Sequence, residues 1–420
     1  MSIASSGWWA RGDSIHGLSR ALLALYIPAA LLAFCRGLLV PTLPVFADSF
    51  GISIALVGLV LAAEAVGMLL ADAPAGYLVS RLKPKLAMLL GVGAVGLGVL
   101  GTALAPQLWL VLVSLAFTGA GGSLWNLSRH AYLTHATRSH NRGRTMGVFG
   151  GVSRLGSFLG PAVGGAVALT WGLRAPFFLY AAVVVVTLLL IAWLLPDEER
   201  PGGASLRRGD GSARAALRKS APTLVNVGTA QVMVQMLRAG RSVLVPLYGT
   251  QVLGLDVGAV GVIVSVASLI DFSLFYPAGV VMDRFGRKAA IIPSFVLQGA
   301  AMALMPLTGG FVSLLLVAAL GGLGNGLSTG TMMTLGSDLA PREALAEFLA
   351  LWRLIGDVGF VGGPLLVGFV AQGAGLGVSG VALGALGAGA ATWFAYRVPE
   401  TLKRQETTAA TSREHAPPEA

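Results

Sequence analysis

PAGVVMDR, residues 277–284, reads as a second copy of PAGYLVSR, residues 74–81, placed 203 positions further along the chain. Gly160-Pro161 recurs as Gly363-Pro364 at the same spacing, and RGLLVP, residues 36–41, returns as RSVLVP, residues 241–246, after 205. Separated segments that keep one spacing mark an internal duplication. The chain is therefore read as two halves built to one plan, and a feature of one half can be checked against the other.

Composition says where such halves belong. Of 420 residues, 55% are hydrophobic and only 11% charged, with a mean hydropathy of +0.77, too apolar for an ordinary soluble globule. A net charge of +10 would suit a nucleic-acid binder if it were gathered on one surface. Here it is parcelled out between apolar runs, so no nucleic-acid partner is expected.

A helix needs about 20 apolar residues to cross the hydrocarbon core. Twelve runs are candidates, centred near residues 32, 66, 95, 121, 157, 185, 236, 269, 298, 324, 359 and 387. The expected fold is an all-α membrane protein, with twelve transmembrane helices in two pseudo-symmetric six-helix bundles, residues 1–195 and 223–397. Between them residues 196–222, PDEERPGGASLRRGDGSARAALRKSAP, are charged and small and read as a cytoplasmic linker. Residues 398–420 read as a disordered cytoplasmic tail. Outside the spans, the Lys and Arg residues fall at the termini and on the even-numbered connections, with Arg174 the exception. Basic residues stay on the cytoplasmic side of short loops, so both termini are expected there, in the plasma membrane of a bacterium and in contact with membrane lipid.

The single cysteine, Cys35, excludes an intrachain disulfide and any paired-cysteine metal site. Neither an HExxH pattern nor a Walker loop occurs, so no enzyme, metal site or other cofactor is expected.

Ten charged residues fall inside the spans: Arg36, Arg129, Arg154, Arg238, Arg241 and Arg353 against Glu64, Asp72, Asp271 and Asp357. Each ionised side chain at a helix centre costs about 2.5–3.5 kcal/mol, so ten imply pairing or a watery cavity. Gln231, Gln235, Arg238 and Ser242 repeat at i, i+4, i+7 and i+11 and mark a polar face of the seventh span, while Asn325 adds a hydrogen-bonding group from the tenth. Together with Arg36 and Arg241 they are the candidate substrate path. Each arginine there has two readings, as a cavity group or as half of a structural pair. Arg353 and Asp357 are spaced to pair with each other, Asp72 suits a nearby arginine or helix terminus, and Asn126, Arg129 and His130 read as anchors at the cytoplasmic interface. A proton carrier needs a carboxylate whose proton affinity the cavity can move as access alternates; Glu64 and Asp271 are the deepest.

Two longer patterns remain. GVVMDRFGRK, residues 279–288, sets Gly279, Asp283, Arg284, Gly286, Arg287 and Lys288 in the order G-x-x-x-D-R-x-G-R-K. The fifth span carries Gly147, Gly156, Gly160, Pro161, Gly164 and Gly165. The first resembles motif A of the major facilitator superfamily, and the second resembles the antiporter motif of its drug:proton antiporters; the resemblance covers nearly the whole chain. In physical terms Gly279 would let two helices approach, and Asp283 would pair with Arg287 or cap a helix start, making a cytoplasmic latch. The first-half copy departs from the pattern at Ser80, Lys83 and Pro84. So does the fourth span, where the arginine usual in the antiporters is Leu115.

The resemblance implies a monomeric secondary transporter that exports a small amphipathic compound, a drug or metabolite, by alternating access in exchange for protons. The net positive interior favours a neutral or anionic compound. Two alternatives stand beside it: a proton-coupled symporter importing an organic anion, and a non-transporting membrane sensor.

Overall fold

A computed structural model describes residues 12–136, 142–196, 211–328, 330–341 and 344–401. Residues 197–210 of the expected linker and 402–420 of the expected tail lie outside the described residues. The first half comprises α1 (Gly12–Asp48), α2 (Ile54–Arg81), α3 (Pro84–Leu104), α4 (Leu108–Ala136), α5 (Arg142–Trp171) and α6 (Ala175–Leu194). The second comprises α7 (Gly211–Leu247), α8 (Val257–Ser273), α9 (Phe275–Phe285), α10 (Arg287–Leu304), α11 (Phe311–Leu327), α12 (Thr331–Leu339), α13 (Leu345–Ala374) and α14 (Leu376–Arg397). Residues 211–222, read from the sequence as linker, form the first turns of α7.

Among the described residues nine helical segments are long and apolar enough to cross a membrane, α11 with α12 counting as one, and α8 with α9, bent by 41°, makes a tenth. The two remaining expected spans, α5 and α7, have the length, 30 and 37 residues, but are less apolar. Arg154, the glycine stripe of α5 and the Gln231, Gln235, Arg238 and Arg241 set of α7 are the reason. In lipid a helix satisfies its backbone internally, so such polar side chains are tolerated only where they face protein or a cavity.

Local signals fix the ends. Ser53 accepts from Leu56 N at 3.4 Å to start α2, Asp256 accepts from Ala259 N at 2.8 Å to start α8, and Pro84 opens α3 where no donor is needed. Past α7 the helix widens into one π-type turn, with Leu253 N donating to Tyr248 O at 3.1 Å.

The duplication reappears in the packing. In the first half α1 packs on α5, α2 and α3 on α4, and α3 on α6; in the second α7 packs on α13, α8 and α10 on α11, and α10 on α14. Two seams join the halves, α5 against α8 and α2 against α13. At the end of the bundle away from the α6–α7 connection both seams are backbone contacts. A Cβ on Gly58 would come 2.6 Å from Pro364 O, and one on Gly165 would come 2.6 Å from Val257 O. Large exposed apolar side chains such as Leu70, Trp193 and Phe369 cover the outside, as a lipid-facing surface requires.

Candidate functional site

Between the halves lies a cavity of about 380 Å³. The first half lines it with Arg36, Leu39 and Leu43 of α1, Glu64 of α2, and Phe177 and Tyr180 of α6; the second adds Gln235 and Ser242 of α7, and Asp357 and Phe360 of α13. A second cavity of about 260 Å³ is lined, among the described residues, by the first half alone. It shares Arg36, Asn126 and Tyr180 with the first and adds Trp125, Arg129 and Ser157.

Small residues aim these side chains. Gly37 packs face to face with Gly160 of α5, where a Cβ would meet Gly160 Cα at 2.9 Å, and this contact turns the neighbouring Arg36 toward α4 and the cavities. Its guanidinium lies beside Gly122, whose Cβ would stand 3.0 Å from Arg36 Nη2. A Cβ on Gly119 would overlap Glu64 O, so α2 and α4 meet there backbone to backbone while the Glu64 carboxylate faces the larger cavity. Among the described residues that carboxylate takes part in no ion pair.

The polar residues of the second half are held to one another. Arg154 of α5 donates to Asp271 Oδ1 at 3.0 Å, across the seam, and Asn325 Nδ2 donates to Asp271 Oδ2 at 2.9 Å. Arg238 donates to Ser328 Oγ at 2.7 Å and to Gln235 Oε1 at 3.3 Å. Arg241 Nη1 donates to Gly321 O at 2.7 Å. The expected polar face of α7 is therefore divided: Gln235 and Ser242 reach the cavity, Arg238 and Arg241 turn to α11 and the turn after it, and Gln231, 6% exposed, packs against Gly356 of α13. A helix with protein on most sides has no single polar face.

The other seam carries a matching cluster. Arg353 of α13 lies 3.7 Å from Asp72 Oδ1 of α2 and 3.8 Å from Asp357 Oδ2, and Ser123 Oγ donates to Asp72 Oδ1. Each seam thus has an arginine from the fifth or eleventh span opposite an aspartate from the second or eighth. Both lie on the linker side of the glycine contacts.

Arg129 and Asn126, expected as interface anchors, line the smaller cavity instead, with the Arg129 guanidinium 5.6 Å from the Trp125 ring centre. His130 Nδ1 lies 2.7 Å from Asn126 O. Burying the arginine against an indole replaces water with a π face.

The residues of motif A make contacts that extend beyond their own ten positions. Arg287 contacts Asp283 Oδ1 at 3.3 Å and Asp338 Oδ2 of α12 at 3.1 Å, and donates to Met282 O at 3.0 Å. Gly286, at φ 104°, makes the turn into α10, whose first amides, Arg287 N and Lys288 N, donate to Glu400 at 2.9 and 3.0 Å. Lys288 Nζ donates to Ala395 O at 2.9 Å. Arg284 is exposed beside these contacts. Gly279 differs from expectation: a Cβ there would meet nothing within 4 Å, and Ala278 is the buried neighbour. In the glycine stripe of α5, which begins at Gly147, Gly156, Gly160 and Gly164 pack on α1, whereas Gly165 and Pro161 meet α8 of the other half.

Asp338, Glu400, Ser123, Gly122 and Tyr180 carried no sequence signal of their own. Tyr180 sits in an unbroken apolar run, and the others depend on contacts between distant helices.

A family description reading Major Facilitator Superfamily matches residues 25–270 and 227–418. Multidrug resistance protein MdtG of Enterobacter lignolyticus is 26% identical over 372 residues, 84% of this chain and 86% of that protein. The uncharacterized MFS-type transporter Rv1250 of Mycobacterium tuberculosis is 32% identical over 136 residues, which are 32% of this chain and 23% of that protein. A bacterial homolog of the human lysosomal transporter Spinster, solved in an inward-facing and unoccupied conformation, has a TM-score of 0.72 at 16% identity, covering 90% of this chain and 96% of its own. At that identity the likeness is one of fold.

Proposed function

Because the chain belongs to the Major Facilitator Superfamily, and so is a multi-pass membrane transporter rather than an enzyme, we propose that it couples proton entry to efflux of a small amphipathic compound, neutral or anionic, by alternating access. The observation that carries this reading is the cavity between the halves, where Arg36 and Glu64 face the same apolar space. Arg36 recognises, Glu64 carries the proton, and the halves rock about the cavity. The seams suit that motion: backbone contacts at Gly58 and Gly165 close one end, and side-chain ion pairs at Asp72 and Asp271 span the other. Long side chains part and re-form more easily than interlocked helices. The resemblance of the α5 stripe to the antiporter motif, and the multidrug resistance relative, favour export. On the same reading the protein is a monomer in a bacterial inner membrane with both termini in the cytoplasm, its motif A latch at the cytoplasmic face.

One observation favours cotransport with an organic anion instead. Arg36 and Glu64 share a cavity, so a proton on Glu64 leaves the arginine unopposed, and proton and anion then bind better together than apart.

Proteoliposomes with an imposed pH gradient and a pH-sensitive dye decide between the two. Efflux predicts that an added substrate moves against the proton current and that Glu64→Gln abolishes the exchange. Substrate and proton moving together would establish cotransport, and a substrate that moves with no proton current would end the coupled reading.

A further inference from the structure

We infer that the smaller cavity is a subsite for a single anionic head group, a carboxylate or sulfonate, and that the larger cavity takes the apolar body attached to it. This rests on the reading of the central space as the substrate path and narrows its substrate to amphipathic acids. The smaller cavity has two guanidinium groups, Arg36 and Arg129, on its wall, and no carboxylate among its described lining residues. Asn126, Ser157 and the Tyr180 phenol supply further donors there. The described carboxylates that reach this space, Glu64 and Asp357, line the larger cavity, and Asp357 already has Arg353 3.8 Å away.

Charge is therefore sorted between two adjoining cavities that share Arg36, Asn126 and Tyr180. Arg36, shared by both cavities, stands at the junction, where a planar guanidinium can hold a carboxylate through two parallel N–H donors. Beyond it the larger cavity offers Leu39, Leu43, Phe177 and Phe360 to an apolar body, in a volume of about 380 Å³, within the usual range for small-molecule sites, roughly 300–1,000 Å³. A cation seated in the smaller cavity would face two arginines at short range with no carboxylate among the described lining residues, and a neutral compound would leave the junction arginine without an anion. The site therefore selects by charge first and by shape second.

The test uses full-length protein in phosphatidylcholine nanodiscs and three probes with one body: 1-naphthoate, 1-naphthamide and 1-naphthylmethylammonium. Binding is read by equilibrium dialysis against empty discs. The naphthoate should bind about tenfold or more tighter than the amide, as hydrogen bonds to a charged partner imply, and the ammonium weakest. Arg36→Leu should cost the naphthoate about tenfold and leave the amide within about twofold, while Arg36→Lys should retain part of the preference. Arg129→Gln, which leaves α1 untouched, should reduce the preference independently and serves if Arg36→Leu does not fold.

Equal binding of the three probes, or variants that weaken all three alike, would overturn the assignment. So would loss of naphthoate binding in discs containing phosphatidylglycerol, which would make the anion a lipid headgroup. Failure here is separable from failure of proton coupling. A protein that binds naphthoate through Arg36 but moves no protons keeps the subsite and loses the coupling, and one that exchanges protons for the ammonium loses only the subsite.

Discussion

Arg36 and Arg241 occupy equivalent places in the two halves, each five residues before a proline of the first span of its half, yet their surroundings differ. Arg36 projects into both cavities, with Gly122 leaving room beside it. Arg241 donates to Gly321 O at 2.7 Å, and its neighbour Arg238 is tied to Ser328 and Gln235. Duplication supplied two arginines, and the halves put them to different uses. In one the charge faces the space a ligand would fill; in the other it holds α7 to α11. Arg241, tied to backbone, adds positive potential near the cavities without facing them.

The largest effect should come from breaking the fixed half. Asp271 holds Arg154 from across the seam and Asn325 from α11, so Asp271→Leu removes the carboxylate that faces a membrane-embedded arginine. Removing one partner of a well-buried pair costs about 3–5 kcal/mol; with 27% and 18% of these side chains exposed, about 2 kcal/mol is expected after screening. Thermal unfolding in detergent should show the loss, and the double variant Arg154→Leu/Asp271→Leu should recover much of it. If Asp271→Leu unfolds like the parent and only proton movement is lost, Asp271 is a carrier and the contrast between the halves is weaker than drawn.

Much of this was legible in the chain and some was not. The 203-residue spacing gave the two halves, and apolar length gave the spans other than α5 and α7, because a span's apolar length belongs to one segment at a time. Pairs spaced i to i+4 were equally visible: Asp283 with Arg287, and Arg353 with Asp357. Arg154 with Asp271 and Arg353 with Asp72 were not, since they depend on how each helix is rotated. In a membrane that rotation is poorly written in the sequence. Lipid and protein neighbours are both apolar, so no polar stripe marks the outside. Gln231 and Arg129 show the cost: one turned out of the expected polar face into α13, the other from an expected interface into a cavity.

The same asymmetry extends to the turns at the linker end. In the second half Glu400 receives the first amides of α10 and Asp338 receives Arg287, so α9, α10, α12 and the segment after α14 are joined. In the first half Lys83 starts α3 without a side-chain cap, Ser80 donates to its own helix at Tyr77 O, 2.7 Å away, and Arg81 lies over the Tyr77 ring. Glu400→Gln weakens a charged cap and should cost about 1 kcal/mol in thermal unfolding. Ser80→Ala, at the departed position of the other half, should change nothing measurable. Equal losses would mean that the two turns are alike in strength despite their chemistry.

Arg241→Leu sharpens the comparison at its centre with a smaller effect. Gly321 sits within α11, so its carbonyl keeps a helical partner when the arginine leaves, and the net loss of one charge-assisted bond should be about 1 kcal/mol or less once the arginine's own burial cost is recovered. Binding of the naphthoate, naphthamide and naphthylmethylammonium probes should fall together or not at all. A selective loss of the naphthoate would place Arg241 in the recognising set and make the two arginines a functional pair.

Gly122→Ala should be the smallest perturbation and the most local. Its added methyl would stand 3.0 Å from Arg36 Nη2, a contact that a flexible guanidinium relieves by moving a few tenths of an ångström. Folding should be unaffected, because no backbone lies in the way at that position. Alanine also suits a helix better than glycine, by about 1 kcal/mol in water, so unfolding should move slightly upward if at all. What should change is the angle at which Arg36 meets an anion, seen as a loss of about twofold to threefold in naphthoate binding with the amide unmoved. If both probes weaken together, the methyl has narrowed the cavity rather than displaced the charge, and room beside the arginine is a matter of volume alone.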